Sequence, residues 1–183
     1  MAALRAPKVP PGRLGPSATV DKVVAHYRGA LAASLPKSAR KNGPADVFRR
    51  GAKGSAIVVS YEAAARVIKT GLRAEVVQRI VSAIPSVERA AILRHIGIDK
   101  GTLRRRVNAN KSLDRAQTEG ALRAMELTVL AAETFGTTTK AGTWLSRPHA
   151  LLGGERPIDF ASNHYGLAKV RSMLSAIRFG GVV

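Results

Sequence analysis

Between Ala141 and Gly180 the chain sets Trp, Pro and Gly at fixed offsets, and this spacing constrains its fold more than any other feature. The run reads W-L-x2-P-x3-L-G-G-x2-P-x-D-x6-G-x3-V-x3-L, from Trp144 through Pro148, Gly153, Gly154, Pro157 and Asp159 to Gly166, Val170 and Leu174. Proline cannot continue a helix but suits its first position, and glycine accepts turns that other residues resist. The pattern therefore predicts a helix over 139–146, a rigid Pro/Gly loop, and two closing helices near 158–163 and 167–179. Trp144 and Leu145 are expected to bury against a longer helix upstream. Leu167, Val170, Leu174 and Ile177 form one apolar stripe on the last helix. Asp159 is expected to stabilise a first helical turn, and His149 to cap or pack in the loop.

The rest of the chain reads as helical too. Val20, Val23, Val24, Tyr27 and Leu31 predict a helix over 20–35, ended by Pro36. Ile57-Val58-Val59 suggests a short extended start, followed by a helix over 62–69 that stops near Gly71. Val76, Val77, Ile80, Val81 and Ile84 recur at helical spacing before Pro85, and Ser86 is the expected cap of the next helix. The longest helix is expected over 114–135, opened by an Asp114/Gln117 capping box and stopped by Gly136. The class is all-α. Residues 1–55 form a flexible basic arm and linker, residues 56–136 the central domain, and residues 137–183 a small helical domain.

Charge narrows the partners. Thirty Lys and Arg against twelve Asp and Glu give +18, divided as +9 over residues 1–55, +6 over 56–110 and +3 over 111–183. Such a field favours polyanions and fast, salt-sensitive association, with nucleic acid the commonest such partner. There is no Cys, hence no disulfide framework, thiol catalysis or Cys-ligated zinc. No apolar stretch approaches the roughly 20 residues of a membrane span, and the start lacks the apolar region of a secretory signal.

Residues 89–107 fit a helix-turn-helix. Gly97 falls in the turn, Ile92, Ile96, Ile98 and Leu103 supply the contacts between the helices, and Asp99 caps the second. That second helix presents Lys100, Gly101, Thr102, Arg104, Arg105 and Arg106. Arg can bind guanine bidentately in the major groove, Lys and Thr reach bases or phosphates, and Gly101 permits close approach. Arg106 is assigned to phosphate. Leu93 is larger than the small residue usual at such a crossing, and Arg106 stands where an apolar residue is common.

No catalytic constellation emerges. His26, His95, His149 and His164 are scattered, with no HExxH pair and no metal site expected. Ser60 and Ser146 lack a base and an orienting acid at a recognisable spacing. Gly51-Ala52-Lys53-Gly54-Ser55 lacks the register of a phosphate loop. The chain reads as a binder, not an enzyme, and no cofactor is implied.

The residues from Ala141 to Gly180 resemble the toxin-binding domain of the Xre/MbcA/ParS family of bacterial antitoxins, and the likeness extends more loosely back to about residue 70. The resemblance implies an Xre-like helix-turn-helix core followed by a helical toxin-binding domain, in a cytoplasmic bacterial protein. It implies a partner toxin of the RES-domain type, which acts on NAD by hydrolysis or ADP-ribosyl transfer and is blocked at its active site. It also implies operator DNA as a second partner, with autorepression by a homodimer. Leu122, Met125 and Val129 on the long helix are the expected dimer face. The toxin-binding surface is assigned to Leu151, Gly153, Gly154, Arg171, Ser175, Arg178 and Val183. The alternative is a stand-alone helix-turn-helix transcriptional regulator without a toxin, in which residues 139–183 serve only as a structural cap.

Overall fold

The computed structural model describes residues 18–35, 44–50 and 57–180. The basic arm expected over 1–18, except for its last residue, lies outside them. So do residues 37–43 and 51–55 of the expected linker, the Gly51–Ser55 segment, and the tail ending in Val183. The described chain is mostly helical. Its helices are α1 (Ala18–Ser34), α2 (Tyr61–Thr70), α3 (Val76–Ala83), α4 (Arg89–Ile96), α5 (Lys100–Asn108), α6 (Arg115–Phe135), α7 (Thr138–Ser146), α8 (Pro157–Phe160) and α9 (His164–Phe179).

Helix α6 is the axis of the molecule, with α1, α2, α3, α4, α7 and α9 all packing against it. It begins on the expected capping box: Asp114 accepts from the Gln117 N–H at 2.9 Å, while the Gln117 side chain accepts from the Asp114 N–H at 3.3 Å. Gly136 stops it in the left-handed conformation at φ 76°. A helix apolar on several sides must be enclosed, and Ala121, Met125, Leu127, Ala131 and Ala132 are almost fully buried. Leu122, Met125 and Val129 are therefore interior, at 7%, 0% and 2% exposure. The expected dimer face is corrected by that burial. Where α4 crosses α6, a side chain at Gly120 would lie 2.5 Å from the Ile96 carbonyl oxygen, so the two backbones meet only because that Cβ is missing.

Helix α1 is more than part of an arm. Val20, Val23, Val24, Tyr27, Ala30 and Leu31 bury against α3, α6 and a 3-10 turn over Pro44–Val47. That turn continues into a strand where a linker was expected, because Val47 and Phe48 are apolar and fully buried. Strand β1 (Phe48–Arg50) pairs antiparallel with β2 (Ile57–Val59), placing Phe48 opposite Val59 and Arg50 opposite Ile57. Both edges of this ribbon carry a charged side chain. Arg28 donates to the Phe48 carbonyl at 2.7 and 3.1 Å, and the Ile57 N–H donates to the Glu133 carboxylate at 2.8 Å. Such groups satisfy edge backbone that would otherwise invite another strand.

The boundaries between β2 and α4 follow their stop and start signals, except at the start of α4. Ser60 caps α2, and Gly71 ends it at φ 79°. Helix α3 ends before Pro85, but α4 begins after Glu88 with no side-chain cap, not at Ser86. Val87 explains the delay: its burial turns the chain once more, with its N–H on the Ile84 carbonyl at 3.1 Å. Ser86 then lies under α7, where the missing Cβ of Gly142 admits it.

Candidate functional site

Helices α4 and α5 follow one another across a short turn at residues 97–99. Gly97 takes φ 79°, ψ 37° in the turn, and the Ile98 N–H returns to the Leu93 carbonyl at 3.0 Å. Ile92, Ile96, Ile98 and Leu103 are all buried, and Leu93 is accommodated at 7% exposure. Asp99 caps α5 by accepting from the Thr102 N–H at 2.8 Å, and bonding from Thr102 holds its carboxyl below the ordinary range. Gly101 serves this cap as well, since a Cβ there would stand 3.2 Å from the Asp99 carboxylate.

The exposed side of α5 carries Lys100, Gly101, Arg104 and Arg105. Arg105 donates to the Thr102 hydroxyl at 2.9 Å, joining two of the expected contact residues. Arg106 departs from this set. Its guanidinium donates to the Ser112 carbonyl at 2.7 Å and pairs with Asp114 at 3.4 Å, so it braces the turn into α6. A second strap holds the same turn: the Leu113 N–H bonds the Leu72 carbonyl at 2.7 Å, and the Ala74 N–H bonds the Lys111 carbonyl at 3.2 Å. The end of α5 is thereby fixed to the loop between α2 and α3.

After α7 the Pro/Gly segment forms the expected loop, but the helices beyond it span Pro157–Phe160 and His164–Phe179 rather than 158–163 and 167–179, because Asn163 caps α9 by accepting from the Gly166 N–H at 2.9 Å. Trp144 is half-buried between Phe135 and His149, with ring centroids 5.6 and 5.5 Å away, and Leu145 is fully buried. His149 anchors the loop through its backbone, its N–H on the Glu155 carbonyl and its carbonyl accepting from Gly154, both at 3.0 Å. Gly153 and Gly154 sit exposed at φ 65° and 85°, Leu152 points inward, and Leu151 is 49% exposed. Pro157 opens α8, with Asp159 in its first turn.

Helix α9 buries Leu167, Val170, Met173 and Leu174, while Ile177 is half-buried. Its outer side leaves Tyr165 at 86% and Phe179 at 78% exposure, with Ser175 also exposed. The two arginines expected near a partner are placed differently. Arg171 donates to Glu126, and Arg178 donates to Glu133 at 3.1 Å. The pairs step seven residues along both helices, so α6 and α9 run parallel, joined by two rungs. Burial pushes the Glu126 carboxyl up and Arg171 pulls it back down. Glu133, nearly buried, serves Arg178 and the β2 edge together. Sequence reading missed this ladder. Its only signal was the spacing of Glu126 and Glu133, seven apart on a largely buried helix.

A second cluster was also unforeseen. It joins α4 to α8 and so connects the two candidate sites. His95 is 1% exposed and meets the Ile158 carbonyl through Nδ1 at 2.8 Å. Its Nε2 is buried without a partner among the described residues, and burial lowers its pKa, as does nearby Arg123. Around it, Asp159 pairs with Arg156 at 2.5 Å and Arg94 at 3.4 Å, and Arg156 reaches Glu88 at 3.8 Å. Arg123 donates to the Ser162 carbonyl at 3.0 Å.

Residues 130–180, from the last turns of α6 to the end of α9, match the family model for the antitoxin Xre/MbcA/ParS C-terminal toxin-binding domain. No curated protein is similar enough in sequence to be matched. Among the described residues no helix is long and apolar enough to cross a membrane.

Proposed function

We propose, from the premise that residues 130–180 are a toxin-binding domain and the chain an Xre/MbcA/ParS-type antitoxin, that its partner is a RES-domain toxin consuming NAD or transferring ADP-ribose. The chain covers the toxin's active site and, as a dimer, represses its own promoter. The family match carries the antitoxin role. The finer reading is supported by the exposed Leu151, Gly153 and Gly154 of the loop and by Tyr165, Ser175 and Phe179 of α9. Exposed aromatics on a domain built to bind a protein are natural anchors for that protein. DNA reading is assigned to Lys100, Gly101, Thr102, Arg104 and Arg105, of which all but the half-buried Thr102 are exposed on a capped, braced helix of a strongly basic chain.

The test is growth and cellular NAD after inducing the adjacent reading frame, with and without this chain. NAD depletion or arrest, reversed by the full chain but not by a truncation before Leu151, supports the reading. A harmless neighbour, or rescue by the truncated chain, would leave the stand-alone regulator as the better account.

A further inference from the structure

A cavity of about 170 Å³ opens between β2, α2, α6 and α9, beside the Arg171–Glu126 rung. Val58, Val59, Val129 and Leu130 give it apolar walls, and Tyr61, Glu126 and Arg171 stand around it. Two of its lining residues face solvent, Val58 at 54% and Tyr61 at 68%. Arg171 donates to Glu126, while 40% of its side chain remains exposed. We infer that this cavity receives one large apolar side chain of the toxin, so that the docking surface continues from α9 onto residues N-terminal to the toxin-binding domain. The inference rests on the antitoxin reading above.

Continuity identifies the occupant. Arg171 belongs both to the cavity wall and to the matched domain. At about 100° per residue, Ser175 lies about 40° and Phe179 about 80° around α9 from Arg171. The exposed side of α9 therefore begins where the cavity ends. Size fits a side chain, because an apolar cavity of about 150 Å³ holds a benzene ring. A partner strand fits less well, since Glu133 already occupies the Ile57 N–H on the outer edge of β2. An apolar pocket rimmed by Tyr and Arg is also the arrangement in which interface anchors concentrate. Residues 57–61 precede the matched domain, so they can tune which toxin is accepted without altering the toxin-binding fold.

The experiment titrates the purified product of the adjacent reading frame into the full chain and into Tyr61→Ala, Val58→Asp and Phe179→Ala, with thermal melts of each. All three positions are exposed, so the melts should stay close to that of the parent. Tyr61→Ala and Val58→Asp are expected to weaken binding about tenfold or more. Hydroxyl-radical footprinting should show Tyr61 protected in the complex. If both variants bind as tightly as the parent and Tyr61 stays reactive while Phe179→Ala loses affinity, docking is confined to α9 and only this inference fails. If the parent chain does not bind the neighbouring product, the antitoxin reading fails and takes the inference with it.

Discussion

Helices α5 and α9 both line up basic residues on a surface-facing helix, yet they use them in opposite ways. On α5, Lys100 and Arg104 have no ion pair among the described residues, and Arg105 meets only a neutral hydroxyl. On α9, Arg171 and Arg178 are drawn inward to acids of α6. An unpaired guanidinium keeps its field and its donors for a partner. A paired, partly buried one has committed them to the fold, and its removal leaves a carboxylate stranded. Arg106 repeats the lesson at short range, since it follows Arg104 and Arg105 in sequence but braces a turn. Counting basic residues therefore finds a strongly basic protein without finding which of its cations the fold has already paired.

The comparison predicts that charge removal on α5 costs function and leaves stability intact. Arg104→Ala with Arg105→Ala should weaken operator binding by about 100-fold, at about 1–3 kcal/mol per specific contact, with an unchanged melting temperature. Gel shifts at several salt concentrations would check this, and a retained affinity and salt slope would break the contrast between the helices. On the α9 side the effect should reverse. Glu133→Ala leaves Arg178 and the buried Ile57 N–H without their acceptor, so unfolding stability should fall by roughly 2–3 kcal/mol. Urea titration measures it, and Glu133→Gln, which keeps an acceptor, should lose less.

Smaller effects sharpen the picture. Asp99→Ala removes the cap of α5 and should cost about 1 kcal/mol, with a loosening of α5 visible in amide exchange. Acid titration tests the α4–α8 junction. His95 has a lowered pKa in the folded protein, so below its ordinary value near 6.5 the unfolded chain takes up its proton first. Stability should therefore be fully present above that value and decline as pH falls toward the folded pKa. Denaturant titrations at pH 7.5 and 5.5 should show a smaller loss in His95→Gln than in the parent. Equal losses would mean that His95 is not what responds.

The sequence by itself determined what depends on neighbours along the chain. Asp99 and Asp114 cap helices because their side chains reach an N–H three residues on, and Gly71, Gly97 and Gly136 end them because each takes a positive φ. The Trp, Pro and Gly spacing between Ala141 and Gly180 was legible for the same reason, down to Pro157 at the start of α8. Only the tertiary structure decided what depends on residues far apart in sequence. It turned Leu122, Met125 and Val129 inward because helices surround α6 on several sides, and it made strand from Phe48 because a buried aromatic beside Tyr27 needs cover. It assigned Arg171 and Arg178 to acids 45 positions away. A charged side chain carries no local mark of whether its partner is solvent, another molecule or its own fold, because burial and approach are set by packing.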